Sequence, residues 1–211
     1  MTTSIYVTTA AIREDTEFNG VPYRNGVFDV STAQEVDRQS ALFQAVRKGN
    51  RDAKQQMPKR LFRVGKAPLV GPLKSVTVAG GNFLILRGDV AVIFEKHEIG
   101  DAELMPVQLI DCDNETPINA DARLLLPGSY HRTIDHASSH LMKNRYARPP
   151  RYRLPNEPDK LADLKVIGSP RDDLALWWDD TIDFAIFLNG ALARDIQSAG
   201  LNDHLQVTVV Q

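Results

Sequence analysis

The spacing of apolar residues along the chain predicts a series of short strands. Segments rich in Val, Ile, Leu and Thr that are bounded by turn residues are typical of strands. Four segments have this composition, and we expect strands over 4–9, 75–86, 106–112 and 122–126. The pair Gly80-Gly81 interrupts the second segment, which therefore favours a hairpin. Residues 182–188 are dense in Phe and Ile and are expected in the core.

Helices are predicted where apolar residues recur every three or four positions behind a capping residue. Ser31 and Gln34 have the spacing of a capping box, which predicts a helix over 32–48 that ends at Gly49. A second, shorter helix is expected over 89–96. A weaker pattern favours a third helix over 134–144.

The C-terminal segment has the clearest helical pattern. Asn189 can cap a helix in which Leu192, Ile196 and Ala199 share one face. Gly200 fits the left-handed position that follows such a helix. A closing strand is expected over 205–209, where apolar and polar residues alternate.

Two proline-rich segments are predicted to be irregular, because proline fixes φ and lacks an amide proton. Residues 50–75 contain three prolines and 148–158 contain four. The elements together predict an α+β fold with a mixed or antiparallel sheet, three or four helices, a strand-rich centre and a C-terminal helix–strand unit. We expect residues 1–50 to form a strand–helix segment packed on a main domain over 51–211.

Composition places the chain among ordinary globular proteins. It has 211 residues, of which 43% are hydrophobic and 25% are charged. No apolar run reaches the roughly 20 residues that a membrane-spanning helix needs, and the first residues lack a signal-peptide pattern. We therefore expect a cytoplasmic protein without a membrane partner. The single cysteine, Cys112, excludes an internal disulfide framework and a Cys-rich zinc site.

Charge is arranged in blocks although the net charge is only −2. Residues 47–66 carry eight Lys/Arg and one acid, and 131–155 carry six Lys/Arg and one acid. Residues 95–121 carry eight acids and one Lys, and 156–183 carry eight acids and three bases. Such blocks are usually solvated faces. The alternative is that an acidic block is a docking surface for a basic partner.

Catalytic motifs are mostly missing from the chain. It contains no nucleophile elbow, P-loop or dinucleotide fingerprint. Cys112 lies between Asp111 and Asp113, and neighbouring carboxylates disfavour a thiolate, so an activated cysteine is not expected. These observations favour a protein that is not an enzyme and that needs no cofactor.

A metal site is also not expected. His136 and His140 are four residues apart and would share one face of a helix, but a complete ligand set is lacking around them. The acidic run Asp111-Cys-Asp-Asn-Glu115 resembles the start of a calcium loop, yet Thr116 stands where such a loop needs glycine.

The stretch 130–153 has the ingredients of a nucleic-acid site, because basic and aromatic residues alternate there. It contains Tyr130, Arg132, Lys143, Arg145, Tyr146, Arg148, Arg151, Tyr152 and Arg153. The opposing interpretation is a solvated loop, or one that pairs internally with the acidic blocks. The opposing interpretation is favoured because the chain as a whole is not basic.

Several C-terminal phrases together resemble one bacterial protein family. They are Gly100 with Leu104-Met-Pro-Val-Gln-Leu109, Asp173-Leu-Ala-Leu-Trp-Trp-Asp179, Phe187-Leu-Asn-Gly-Ala-Leu192 and Ala199-Gly-Leu201. Their order and spacing, over about residues 55–211, resemble the eleventh immunity-protein family of polymorphic toxin systems, formerly a domain of unknown function. The first 50 residues have no part in this resemblance.

The resemblance implies an α+β protein that binds and neutralises a cognate toxin, encoded beside it and often delivered by contact-dependent or type VI secretion. It implies no catalytic residues. The expected function is therefore an immunity protein that acts by stoichiometric contact with a toxin protein. Two other classes stay open: an enzyme whose site is built from scattered Asp, His and Arg, and a nucleic-acid-binding module that uses 130–153. Self-association also stays open.

The acidic block over 156–183 is the predicted partner surface. It begins in a proline-rich loop and ends near the tryptophan pair, so its acids are expected to project outward. Acids complement a basic cleft, and a tryptophan can supply the apolar anchor. The predicted partner-binding residues are Asp172, Asp173, Trp178, Asp179 and Asp180.

Overall fold

A computed structural model describes residues 4–8, 28–29, 36–64, 69, 71–144, 150–155, 158–168 and 173–210. Within these residues the chain forms twelve strands and six α-helices, which confirms the predicted α+β class. The chain divides into two compact units. The first unit comprises Met1–Arg13, Ile93–Ala102 and Gly128–Gln211, and the second comprises Glu14–Val92 and Glu103–Pro127. The boundary expected at residue 50 falls inside the second unit.

The bounds of the elements are as follows. The strands are β1 (Ile5–Thr8), β2 (Phe28–Asp29), β3 (Arg60–Arg63), β4 (Val76–Ala79), β5 (Phe83–Arg87), β6 (Glu103–Ile110), β7 (Pro117–Leu126), β8 (Met142–Asn144), β9 (Arg151–Arg153), β10 (Leu176–Trp178), β11 (Ile186–Asn189) and β12 (Val207–Val210). The helices are α1 (Val36–Arg47), α2 (Arg51–Gln55), α3 (Asp89–Glu95), α4 (Pro158–Ala162), α5 (Gly190–Ser198) and α6 (Asn202–Leu205).

The second unit is built on a curled six-stranded sheet that closes on itself in the order β2-β3-β6-β7-β5-β4. The pairs β3–β6 and β2–β4 are parallel, and the other pairs are antiparallel. Side chains alternate across each strand, so one set points to the inside. That set forms a core that includes Leu61, Phe83, Ile85, Val107, Leu109 and Leu124.

Helix α1 packs beside the turn between β4 and β5. Gly81 occupies this turn with a φ of 79°, and a Cβ there would lie 2.9 Å from the Phe43 ring of α1. The Arg47 side chain donates a hydrogen bond to the Gly81 carbonyl, and the rings of Phe43 and Phe83 meet edge to face at 5.5 Å. The turn therefore needs glycine both for its backbone conformation and for the close approach of the helix.

The segment 50–75 contains regular structure, so the expectation of an irregular connection is wrong. The Asn50 side chain accepts a hydrogen bond from Ala53 N at 3.0 Å and caps α2. Ala53, Met57 and Leu61 are buried in the core of the second unit. Their spacing of four residues does not stand out in the sequence, because basic residues and prolines surround them.

The first unit is built on a four-stranded antiparallel sheet in the order β10-β11-β1-β12. Trp177, Phe187 and Val7 lie in register on neighbouring strands and belong to one core cluster with Leu161 and Leu164. Helix α5 packs against β11 and β1. β1 comes from the start of the chain and lies between two strands from its end, so the sheet depends on contacts that are distant in sequence.

The predicted C-terminal helix is confirmed in its main features. The Asn189 side chain accepts hydrogen bonds from Ala191 N and Leu192 N, and both Leu192 and Ile196 are fully buried. Gly200 has the expected left-handed backbone. Ala199 is exposed, so its expected place on the buried face is wrong.

Other local expectations are corrected by the structure. Residues 134–144 contain a turn and β8 in place of a helix, and 148–158 includes β9. The closing strand begins at Val207, because Leu205 is the last residue of α6. Val209 of this strand is 42% exposed. Ser31 and Gln34 lie outside the described residues. None of the described helices has the length and the apolar character that crossing a bilayer requires.

Candidate functional site

The centre of the first unit contains a buried carboxylate. Asp179, which directly follows β10, is 1% exposed. Its Oδ2 accepts hydrogen bonds from Thr133 N at 2.8 Å and from Ile134 N at 3.3 Å. Its Oδ1 accepts from Thr181 N at 2.9 Å and from the Thr181 hydroxyl. The carboxylate therefore joins 133–134 to the turn that follows β10.

A histidine extends this network. His136 Nε2 lies 2.7 Å from Thr181 Oγ1, and its ring lies 4.3 Å from the ring of Tyr152. The Thr181 hydroxyl donates to Asp179 Oδ1, so it joins the carboxylate and the imidazole in one network.

The two tryptophans have different surroundings. Trp177 is 1% exposed, and its indole N–H donates to Thr133 Oγ1 at 2.7 Å. Trp178 is half-buried, and its ring lies 6.4 Å from that of the half-buried Tyr130. The backbones of 129–131 and Trp178 are joined by two hydrogen bonds, His131 N to Trp178 O and Trp178 N to Ser129 O. The pair therefore lies at β10, the outermost named strand of the sheet, and both residues are partly exposed.

The predicted partner-binding residues differ in exposure. Asp173 and Asp180 are exposed, and Trp178 is half-buried. Asp172 lies outside the described residues. The expectation that Asp179 projects outward is wrong, because its carboxylate is buried and accepts four hydrogen bonds from its own chain.

Part of the basic stretch pairs internally with the acidic block. Arg151 Nε donates to Asp183, and Arg151 Nη1 donates to the Asp180 carbonyl at 2.8 Å. The Arg153 guanidinium lies 5.8 Å from the centre of the Phe184 ring. These contacts agree with the interpretation that opposite charge blocks meet. Lys143 and Arg132 of the same stretch are exposed, and 145–149 lies outside the described residues.

The second unit holds a separate buried ion pair. Asp111 accepts from Arg63 Nε at 2.5 Å, from Leu69 N at 2.8 Å and from Cys112 N at 2.6 Å. Burial raises the pKa of Asp111, but these hydrogen bonds and the positive charge of Arg63 outweigh burial and hold its pKa at about 2. Arg63 Nη2 also lies 3.3 Å from Cys112 Sγ. The geometry ties the end of β3 to the end of β6.

The histidines do not form the metal site that a helix would have allowed. His136 binds Thr181, His140 is exposed, and the segment between them is a turn. Across the described parts of the chain, no three side chains of His, Cys, Asp or Glu are grouped so that they could hold a metal ion. The run over 111–115 is an acidic turn in which Asp113 accepts hydrogen bonds from Glu115 N and Thr116 N.

Sequence reasoning missed two residues of the site. The sequence marks Tyr130 only as a stacking residue for nucleic acid, and its pairing with Trp178 joins positions 48 residues apart. No sequence pattern points to Thr133, whose N–H donates to Asp179 and whose hydroxyl accepts from Trp177. No local pattern marks either contact, because each partner comes from a distant segment.

No family model matches the chain, and no curated protein matches it either. The resemblance to an immunity-protein family therefore stays a prediction.

Proposed function

We propose that this protein is an immunity protein that binds a cognate toxin and neutralises it by stoichiometric contact in the cytoplasm. The observation that carries the proposal is the pair Trp178 and Tyr130, two half-buried rings at a sheet edge. Tryptophan and tyrosine are, with arginine, enriched among the residues that dominate binding energy at protein interfaces. The resemblance in sequence supplies the class of partner.

The surroundings of the pair support a preformed binding surface. Residues 129–131 and Trp178 share backbone hydrogen bonds. The Asp179 carboxylate accepts from Thr133 N and Thr181 N, which follow these two segments. A surface held in this way loses little conformational entropy when a partner binds. Binding by such a surface needs no chemical step, which suits stoichiometric neutralisation.

Exposed acids close to Trp178 in the sequence favour a basic partner. Asp180 follows Trp178 by two residues, and Asp173 precedes β10 by three; both are exposed. Charges at the rim of an interface mainly change the association rate and its dependence on salt. We therefore assign Trp178 and Tyr130 the role of apolar anchor, and Asp173 and Asp180 the role of charged rim. Asp179 supports the surface from inside.

Protection of growing cells tests this function. The toxin domain encoded beside this chain is expressed in a bacterial host together with the wild-type protein or the variant Trp178→Ala. We expect the wild type to restore growth and Trp178→Ala to lose at least tenfold in protection at equal protein level. Met142→Ala is the matched control, because Met142 is an apolar residue of the same unit that is 49% exposed. Equal protection by wild type and Trp178→Ala would contradict the proposed surface, and no protection by the wild type would contradict the function.

A further inference from the structure

The inner face of the closed sheet in the second unit carries polar side chains at one end. Thr77 of β4 lies in register with Ile85 of β5, and Ile85 belongs to the core of this unit. Directly paired residues of antiparallel strands share a face, and so do residues two apart along one strand. Thr77 and Arg87 therefore both lie on the inner face, in a diagonal arrangement that a long side chain can span.

Arg87 is a half-buried cation, and no described carboxylate pairs with it. Its Nη1 donates to the Leu73 carbonyl at 2.8 Å and to the Lys74 carbonyl at 3.4 Å. Its Nε is buried and has no hydrogen-bond partner in the described part of the chain. Burial lowers the pKa of Arg87, as expected for a cation that no acid compensates. The two carbonyls thus leave unused the Nε–Nη2 edge of the guanidinium, which can bind a carboxylate through two parallel N–H groups.

Two hydroxyl groups accompany this guanidinium. Thr77 is 3% exposed, and its Oγ1 is a second buried polar atom that lacks a hydrogen-bond partner among the described residues. Ser75 lies opposite Arg87, because the Arg87 N–H donates to the Ser75 carbonyl at 2.9 Å. A buried polar atom without a hydrogen bond costs free energy. Two such atoms on one face of neighbouring strands therefore indicate a shared partner.

These residues lie where a small molecule can reach them. β4 begins at Val76 and β5 ends at Arg87, so the guanidinium is at the end of both strands. Ser75 and Arg87 are both half-buried, which leaves part of each in solvent. The neighbour of Arg87 on β7 is Ala122, whose side chain is a single methyl group. A ligand at this end of the sheet would meet the guanidinium first and the apolar core behind it.

We propose that Arg87, Thr77 and Ser75 bind the carboxylate group of a small monocarboxylic acid. The guanidinium binds both carboxylate oxygens, and the two hydroxyl groups donate to the lone pairs that remain. The single positive charge of Arg87 matches one carboxylate, and the apolar residues Ile85 and Ala122 disfavour the additional charge of a phosphate dianion. The site belongs to the second unit and is independent of the proposed toxin contact, which lies in the first.

The test is a titration of the full chain with sodium acetate at constant ionic strength, followed by NMR of isotope-labelled methyl groups of Thr and Ala. The methyl groups of Thr77 and Ala122 should shift in a saturable way, with a Kd of about 1 mM for a ligand of this size. Shifts that do not saturate by about 100 mM acetate would overturn the proposal. Inorganic phosphate is the second probe, and phosphate binding as tight as acetate binding would assign a general anion site and overturn it as well.

Arginine variants test the role of the guanidinium. Arg87→Lys keeps the charge but loses the two parallel N–H groups, so it should weaken acetate binding by about tenfold. Arg60→Lys is the matched control, because Arg60 is an exposed arginine of the same unit, and it should bind acetate like the wild type. An equal loss of affinity in the two variants would place binding elsewhere and contradict the proposal.

Thr77→Val keeps the test decisive if Arg87→Lys fails to fold. It removes the unpartnered hydroxyl at nearly constant shape, so the free protein should be at least as stable as the wild type. Acetate binding should nevertheless weaken by about fivefold, because one hydrogen bond to the carboxylate is lost. A folded Thr77→Val that binds acetate as tightly as the wild type would refute the assigned site.

Discussion

At the scale of single residues, the two buried aspartates show how one side chain type serves two different purposes. Asp111 is paired with a buried arginine and also accepts two backbone N–H groups. Asp179 has no cation among its described hydrogen-bond partners, which are three backbone N–H groups and one hydroxyl. Both lie in acidic stretches that look like surface in the sequence. Neither can be identified as buried from its neighbours alone, because each accepts hydrogen bonds from two residues that are distant in sequence.

Asp111 should make stability depend on pH in the acid range. Its pKa is held at about 2, below the ordinary value of 3.8, so the folded form binds this proton less readily than the unfolded form. The stabilisation is therefore complete above about pH 4 and is lost as the pH falls through about 2. A shift of almost two pKa units corresponds to about 2 kcal/mol. Urea unfolding of wild type and Asp111→Asn should show their stability difference shrinking by about that amount between pH 5 and pH 2; parallel curves would contradict this account.

Asp179 should be needed for folding and not only for binding. In Asp179→Asn one carboxylate oxygen becomes an NH2 group. Each carboxylate oxygen accepts from two donors, so the NH2 group would face two donors in either orientation of the amide. Leaving buried donors unpaired costs about 1–3 kcal/mol. Asp180→Asn is the matched control, because Asp180 is exposed and should change stability by less than about 0.5 kcal/mol. Denaturant melts that show equal stability for the two variants would remove Asp179 from its supporting role.

At the scale of elements, the sequence predicts best where the signal is local. The hairpin at Gly80-Gly81, the paired strands β6 and β7 and the Asn189 cap of α5 all follow from turn residues, apolar spacing and capping within a few positions. The helix expected over 134–144 rests on a weak helical period of apolar residues in a polar segment, and it is wrong. Ile134 forms a β-bridge with Val166, and Asp135 accepts a hydrogen bond from Ala137 N. Helix α2 is not predicted from the sequence, because only its capping Asn50 and its buried Ala53 indicate a helix and charged residues surround both.

The turn between β4 and β5 gives a prediction at this scale. A Cβ at Gly81 would lie 2.9 Å from ring atoms of both Phe43 and Phe83, whereas a Cβ at Gly88 meets nothing within 4 Å. Both glycines have positive φ, so alanine is strained at either position. Gly81→Ala should therefore be less stable than Gly88→Ala by about 1–3 kcal/mol, the usual range for overpacking. Similar unfolding midpoints for the two variants would show that α1 does not press on this turn.

At the scale of the whole molecule, the general class was predictable and the assembly of segments was not. Alternating apolar strands and a few capped helices are enough to predict α+β. The division into units could not be predicted from the sequence, because each unit combines separate stretches of chain. In the first unit, β1 pairs with strands about 180 and 200 residues away. Of the predicted partner-binding residues, Asp173 and Asp180 are exposed, Trp178 is half-buried and Asp179 is buried. Tyr130, whose ring lies beside that of Trp178, comes from a distant segment.

The central proposal is that Trp178 anchors a toxin. Calorimetric titration with the purified toxin domain that the proposed function places beside this chain tests it most directly. The account predicts one-to-one binding by the wild type, and a loss of at least tenfold in affinity for Trp178→Ala with Met142→Ala unchanged. Higher salt should slow association through the rim residues Asp173 and Asp180 without abolishing the complex. One-to-one binding that is equally tight for the wild type and Trp178→Ala, with both proteins folded, would contradict the claim.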